Sequence, residues 1–280
     1  MNNSIPIRTR HLFQELDELL IHKLKSLPNE QWNAPTLAGS WTVKQIAAHL
    51  LDGNLRAISM LRDGYFGQVP GQISSYQDLV SYLNGLNADW ILATNRLSPQ
   101  VLVDLLETSG KEYRNLLRRL KPFEKALFSV AWAGEEESLN WFHVAREYTE
   151  KWHHTQQIFL ATDPDDHSLF SKRFFLPYLE TSLRALPYHY RSIESPKGAL
   201  VKIIITGQFY HTWWMKRIDS EWRLIPFSKL EPSAQLTISD KIAWRIFTKG
   251  IPFEMAVQEV EVKGDQKLAF HLLKLLAVMA

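Results

Sequence analysis

The sequence has 280 residues, of which 45% are hydrophobic and 12% aromatic. This is enough to bury one large core or two modest ones, so intrinsic disorder is excluded as the main state. The 32 basic and 30 acidic residues nearly cancel, which excludes the strong net field that attracts nucleic acid or anionic membranes. The chain contains no cysteine, which excludes disulfides, thiolate metal sites and a catalytic cysteine. Thiol chemistry would therefore need a thiol from outside the chain.

The N-terminal residues differ from a secretory signal. Met1 to Pro6 lack the positively charged start and the long apolar stretch of a signal peptide. No apolar run reaches the length that spans a membrane. The sequence therefore predicts a cytoplasmic protein with no membrane partner and no nucleic-acid partner.

Residues 8–190 are predicted to be mainly helical. Apolar residues recur with the helical period along most of this stretch, starting with Leu12, Leu16 and Leu20. Thr42 and Gln45 form a capping-box pattern ahead of a second amphipathic run, so a helix is predicted to begin there. Further helices are predicted at about 75–95, 99–120, 138–161 and 168–189. Four or five long helices favour a bundle.

The sequence pattern changes after Arg191, where β-branched and aromatic residues become frequent. Strands are predicted near 201–205, 209–214, 221–226, 234–238 and 260–264, and helices at 240–248 and 265–279. An antiparallel sheet is the simplest arrangement of these strands. We therefore predict a helical domain at 1–190 followed by a smaller α+β domain at 191–280.

A polar pair in the predicted helix 138–161 suggests a metal site. Glu150 and His154 are four residues apart, so their side chains point the same way and can hold one ion. Apolar residues such as Trp141, Tyr148 and Trp152 lie on the opposite side of this helix. From spacing alone, a solvent-exposed polar face is the simpler interpretation.

His49 is the candidate for a third ligand. It lies on the second helix at the border of the apolar face, where a histidine satisfied within the core is the alternative interpretation. Together His49, Glu150 and His154 match the three-ligand plan of a catalytic zinc or similar divalent site, which keeps one position open. Gln157 and Asp52, each three residues after a candidate histidine, could orient the ligands.

Two segments resemble the DinB-like metal-binding bundles. Residues 41–50 are similar to their second helix, where a Trp-Ser/Thr-Val start leads to Ala-His-Leu, and residues 150–158 are similar to their later ligand helix. In the branch that resembles mycothiol-dependent maleylpyruvate isomerase, the earlier ligand on this helix is a glutamate four residues before the last histidine. Glu150 and His154 fit this branch. Residues 234–240 and 260–265 resemble its sterol-carrier-like domain. The resemblance implies a DinB-like four-helix bundle followed by a sterol-carrier-like domain with an antiparallel sheet and helices.

The resemblance also implies a chemistry. His49, Glu150 and His154 would bind a divalent metal, zinc in the first place, and the metal would bind mycothiol, bacillithiol or glutathione. Coordination deprotonates a thiol at neutral pH, and the metal-bound thiolate can isomerise a conjugated cis double bond or stay attached in a transfer. We therefore predict a metal- and thiol-dependent isomerase or S-transferase that acts on a small molecule, as a monomer or a homodimer. Arg223 and Arg245 are candidate catalytic residues that would bind substrate carboxylates.

Alternatives stay open for the ligands and for the function. His153 could replace His154, and Glu147 could replace Glu150 or act as a catalytic residue. One other function is a non-catalytic module that binds a small apolar ligand in the C-terminal half. Another is a metal-dependent hydrolase in which water fills the open position and Glu147 is the base.

Overall fold

A computed structural model of the chain describes residues 4–68 and 70–278. Met1 to Asn3, the start of the segment compared above with a signal peptide, lie outside the described residues. Met279, the predicted end of the last helix, lies outside them too. The chain divides into two compact units. The first contains the described residues up to 124 and residues 150–166, and the second contains residues 125–149 and 167–278. A domain boundary after residue 190 stays a prediction.

The first unit is built from helices. Its elements are α1 (Phe13–Ser26), α2 (Val43–Asp63), α3 (Tyr76–Thr94), α4 (Pro99–Arg119) and the C-terminal part of α5 (Asn140–Thr162). Helices α1 and α2 both pack on α4, and α2 also packs on α3. The predicted helices are therefore confirmed to within a few residues, because their apolar period and capping residues are local signals. No helix of residues 4–68 and 70–278 is both long and apolar enough to cross a membrane.

The start of α2 is fixed by its cap. The Thr42 hydroxyl accepts from the Gln45 backbone N–H at 3.4 Å, and the Gln45 side chain accepts from the Thr42 N–H at 2.9 Å. This reciprocal pair is the capping box that the sequence predicts. Because α2 begins at Val43, His49 lies about two turns into a well-anchored helix.

Helix α5 is buried on its apolar side and over most of its polar side. Trp141, Tyr148 and Trp152 are at most 7% exposed, as the apolar stripe predicts. The polar side chains are buried as well, each at most 7% exposed: His143, Thr149, Lys151, His153, His154, Thr155, Gln156 and Gln157. The interpretation of this side as a solvent-exposed face is therefore wrong for His143, His154 and Gln157, whereas the Glu150 side chain is 41% exposed. Polar groups buried in this way need partners.

The second unit contains a five-stranded sheet with the order β3-β2-β1-β4-β5. The strands are β1 (Leu200–Thr206), β2 (His211–Ile218), β3 (Glu221–Ile225), β4 (Ala234–Ser239) and β5 (Val260–Gly264). Three neighbouring pairs are antiparallel, but β1 and β4 are parallel. The sheet is therefore mixed rather than antiparallel as expected. A parallel pair cannot be joined by a hairpin, so no local turn signal reports it.

Two helices of the second unit are shorter than expected, whereas the helix predicted at 240–248 is found to within one residue. The helices after α5 are α6 (Lys172–Leu183), α7 (Leu186–His189), α8 (Asp240–Phe247), α9 (Phe253–Gln258) and α10 (Gln266–His271). The predicted helix 168–189 is divided into a 3-10 turn, α6 and α7, and Pro187 lies at the start of α7. The last predicted helix ends at His271 and continues as the 3-10 turn Leu272–Lys274.

The buried histidine His143, in the second unit, is expected to lower the stability of the protein in acid. Its Nδ1 accepts from the Arg146 guanidinium at 2.9 Å, and burial lowers its pKa from 6.5 to about 4. Between these two pH values the unfolded chain binds the additional proton, so the free energy of unfolding should fall as the pH drops from 6.5 towards 4. At about 1.4 kcal/mol per pKa unit, the loss attributable to His143 is at most about 3 kcal/mol.

Urea unfolding of the parent and of His143→Gln at pH 7.5 and pH 4.5 measures this loss. Glutamine keeps an acceptor for Arg146 but cannot bind a proton in this range. We expect the variant to lose less stability than the parent between the two pH values. Equal losses would show that His143 is not protonated on unfolding in acid.

Candidate metal centre

Three side chains of the first unit meet around one carboxylate oxygen. His49 comes from α2, and Glu150 and His154 come from α5. Oε1 of Glu150 lies 3.2 Å from His49 Nε2 and 3.1 Å from His154 Nε2. Ligand atoms of the three residues all lie within 4.8 Å of one another. The structure thus brings together the three residues that the sequence analysis selects, and metal binding by them stays a prediction.

The open side of this cluster is at the carboxylate. The side chains of His49 and His154 are 12% and 9% exposed, whereas the Glu150 side chain is 41% exposed. The Trp41 ring covers the histidines, with its centroid 5.0 Å from that of His49 and 6.4 Å from that of His154. A group that binds at the cluster could therefore approach Glu150 from solvent.

The proton on His154 is fixed by Gln157. Its Nδ1 lies 2.8 Å from Gln157 Oε1, and because an amide oxygen only accepts, Nδ1 carries the hydrogen. In the neutral ring Nε2 then presents a lone pair to the ionised Glu150 oxygen at 3.1 Å. Two acceptors at this separation repel each other unless a proton or a metal cation lies between them.

The donor set fits a divalent cation. Zinc binds histidine nitrogen and carboxylate oxygen at about 2.0–2.2 Å, so two such atoms of a tetrahedral site lie about 3.3 Å apart. The observed N···O separations of 3.1 and 3.2 Å are close to this value. The second nitrogen of His154 is held by an amide oxygen, as is usual for histidines that bind metal.

The protonation states suit the same role. Burial lowers the pKa of His49 despite its contact with Glu150, and the nearby charges of His154 and Arg56 lower it further. Desolvation alone would raise the pKa of Glu150, but the histidines His154 and His153 outweigh it, so this pKa lies well below its ordinary value. Near neutral pH the centre therefore offers a neutral His49 and an ionised carboxylate, the forms that bind metal.

The neighbouring candidates differ in what they contact. Gln157 makes the orienting contact that the spacing suggests, whereas Asp52 pairs with Arg56, whose Nε lies 2.7 Å from Asp52 Oδ2. His153 has its Nδ1 4.0 Å from the other oxygen of Glu150. The contact of Trp41 with both ligand rings was not predicted from the sequence, because its position before the helix cap indicates only the start of α2.

The remaining catalytic candidates all lie in the second unit. Glu147 accepts from the Arg146 guanidinium at 2.6 Å. Arg223 is exposed and pairs with Glu221 at 2.9 Å. Arg245 is half-buried, and burial lowers its pKa. Catalytic roles for Glu147, Arg223 and Arg245 stay predictions.

Replacing Gln157 with methionine is expected to weaken metal binding without unfolding the protein. The substitution keeps the volume but removes the oxygen that orients His154, and losses of about 10- to 100-fold in metal affinity are typical of such a change. Competition with a chromophoric zinc chelator measures the affinity. The matched control is Gln156→Met, since Gln156 is equally buried and its Oε1 has no hydrogen-bond partner among the described residues. Equal affinities of the two variants would contradict the orienting role.

Comparisons with known proteins identify the family. The model of the mycothiol maleylpyruvate isomerase N-terminal domain matches residues 13–159, more than half of the chain. All three residues of the metal cluster lie within this span. No curated protein sequence matches the chain.

Solved structures give weaker similarities. A crystal structure of the mycothiol-dependent maleylpyruvate isomerase has 14% identity and a TM-score of 0.49, and the match covers 85% of this chain and 86% of that one. An alanine mutant of that enzyme matches at 13% identity, with the same coverage and a TM-score of 0.48. The ubiquinone synthesis protein UbiJ-SCP2 matches 40% of this chain and 96% of its own, at 14% identity and a TM-score of 0.25. From the sequence match, the chain belongs to the family defined by the mycothiol maleylpyruvate isomerase N-terminal domain.

Proposed function

We propose that the protein is a divalent-metal enzyme that activates an external low-molecular-weight thiol for isomerisation or thiol transfer, with zinc as the metal. The observation that carries this proposal is the position of two histidine nitrogens 3.1 and 3.2 Å from one carboxylate oxygen. Membership of the mycothiol maleylpyruvate isomerase family supports mycothiol as the thiol, with bacillithiol and glutathione as the other candidates. The substrate class supported is a small molecule with a conjugated cis double bond.

Each residue of the centre has a separate task in this proposal. His49 and His154 would hold the cation through Nε2, and Gln157 keeps the His154 ring in the tautomer that allows it. Glu150 supplies one negative charge and the thiolate a second, and together they neutralise the dication. When bound, the cation lowers the pKa of a thiol so that the thiolate exists at neutral pH.

The composition of the chain agrees with a borrowed thiol. The protein has no cysteine, so no side-chain thiolate can supply the sulfur nucleophile or compete for the open position. In an isomerisation the external sulfur adds to one carbon of the double bond, which becomes a single bond and can rotate. The sulfur then leaves, and the double bond forms again in the trans geometry. The thiol is regenerated, so the reaction needs no oxidant or reductant.

Cobalt-loaded protein provides the test. We expect glutathione, mycothiol or bacillithiol to produce a sulfur-to-cobalt charge-transfer band in the near ultraviolet, because the open position accepts the thiolate. His154→Ala should lose the band. His22→Ala, which removes an exposed histidine of α1, should keep it. A cobalt site that never gives this band with any of the three thiols would contradict the proposal.

Two further outcomes would point to the other functions. Turnover of ester or amide substrates by the zinc form without added thiol would indicate a hydrolase. Protein that carries a lipid through purification and binds no metal would indicate an apolar ligand-binding module. The carboxylate of Glu147, the base of the hydrolase alternative, is paired with Arg146, so the structure adds no support for that alternative.

A further inference from the structure

One face of α2 carries more than the metal ligand. Gly53 and Arg56 follow His49 by four and seven residues, so all three lie on one face of the helix within about 60°. Side chains of a helix lean towards its N-terminus. The Arg56 side chain accordingly leans one turn back, towards Asp52, and the guanidinium charge is among those that act on His49.

Gly53 leaves open space on the helix face that carries His49 and Arg56. A Cβ built on Gly53 meets no atom of the described chain within 4 Å beyond its own helix backbone and neighbours. The position is nevertheless half-buried, between the buried residues Asp52 and Asn54. Glycine inside a helix costs about 0.5–1 kcal/mol relative to alanine, and no packing contact requires it here. The missing side chain instead keeps a space open beside the metal ligand.

Arg56 is held in place with most of its donors unused. Its Nε lies 2.7 Å from the buried carboxylate of Asp52, an ion pair without hydrogen-bond geometry. In the described part of the chain, Asp52 is the one side chain paired with it. The Arg56 side chain is 39% exposed, so a ligand can contact it from solvent. A guanidinium oriented by one carboxylate is suited to bind a second carboxylate in a bidentate way.

We propose that Arg56 binds a carboxylate of the ligand that reaches the metal, and that the space at Gly53 accommodates the part of the ligand between them. This proposal rests on the proposed function and specifies the ligand: it is an anion. The carboxylate belongs either to the thiol or to the electrophile. In both cases Arg56 is a binding residue that raises affinity and orients the ligand.

The test compares thiols that differ only in charge. Cobalt-loaded protein is titrated with mercaptocarboxylates of two to five methylene groups and with the mercaptoalcohols of the same lengths, and the charge-transfer band reports binding. If the thiol carries the carboxylate, at least one acid should bind tenfold or more tightly than its alcohol, and Arg56→Gln should abolish this preference. If the electrophile carries it, maleate should bind to the protein saturated with 2-mercaptoethanol, and Arg56→Gln should weaken maleate binding at least tenfold.

Two control variants separate binding from folding. Arg62→Gln removes an exposed arginine further along α2, which pairs with Asp63 and Glu112. It should leave unchanged both the preference for the acid over the alcohol and the binding of maleate. Gly53→Ala should keep the cobalt stoichiometry and an unfolding midpoint at least as high as that of the parent. It should nevertheless weaken ligand binding at least tenfold.

The outcomes distinguish this inference from the proposed function. The inference would be overturned if the charge-transfer band depended on neither Arg56 nor Gly53 and maleate binding did not depend on Arg56. The proposed function would then stay in place. Metal-loaded parent protein without a band for any thiol would overturn both.

Discussion

His154→Ala is expected to abolish the stabilisation that zinc gives to the parent protein. A ligand that binds the folded state at 100 times its dissociation constant raises the free energy of unfolding by about 2.7 kcal/mol. The substitution removes one of the two imidazole nitrogens that face Glu150 at 3.1 and 3.2 Å. With two ligands left, we expect zinc at the same concentration to give no measurable stabilisation. Urea unfolding with and without zinc measures the difference.

The control for this experiment is His22→Ala, which removes an exposed imidazole of α1. It should keep the full response to zinc, and His49→Ala should lose it as His154→Ala does. If the His154→Ala protein gained as much stability from zinc as the parent, the cluster would not be the site that binds the metal.

Asp17→Ala is expected to cost about 3–5 kcal/mol of stability, the largest effect away from the metal centre. Asp17 of α1 accepts from Lys151 of α5 through Oδ1 and from Arg114 of α4 through Oδ2. The side chains of Lys151, Arg114 and Asp17 are 5%, 14% and 10% exposed. Removing the carboxylate would leave two cations in a buried position without their counter-charge. Urea unfolding of the metal-free protein measures the loss.

An exposed ion pair provides the comparison. Glu107 pairs with Lys25 at 2.7 Å with both side chains at least 38% exposed, so Glu107→Ala should cost no more than about 1 kcal/mol. Replacing Asp17, Lys151 and Arg114 together by leucine should recover most of the loss, because no buried charge remains. A cost of Asp17→Ala no larger than that of Glu107→Ala would contradict the buried network.

Local sequence signals account for much of the helical structure. Thr42 with Gln45 and Ser98 with Pro99 mark helix starts that the structure reproduces, because capping involves residues only a few positions apart. The spacing of Glu150 and His154 is local in the same sense. The common direction of the two side chains follows from helix geometry, and their contact is present in the structure.

Features that depend on distant parts of the chain could not be predicted in this way. The polar side of α5 is buried because other helices cover it, as the contact of Lys151 with Asp17 shows. Periodicity reports which residues are polar but not whether a neighbour covers them. The parallel pairing of β1 with β4 is non-local for the same reason.

The candidate site combined both kinds of information. His49 is distant in sequence from Glu150. It was selected from its position on the second helix at the border of the apolar face, and the resemblance of its segment to a ligand helix of a known family supported that choice. The contacts of Trp41 with the ligand rings and of Arg56 with Asp52 needed the structure. Arg56 nevertheless follows His49 by two helical turns, a spacing that places both on one helix face.

Metal content is the most direct test of the central claim that His49, Glu150 and His154 form a metal centre. Elemental analysis of protein purified without an affinity tag or chelator should find about one equivalent of divalent metal per chain, or the same amount after reconstitution with zinc. Folded protein that holds no metal, even after reconstitution with zinc, nickel or manganese, would contradict the claim.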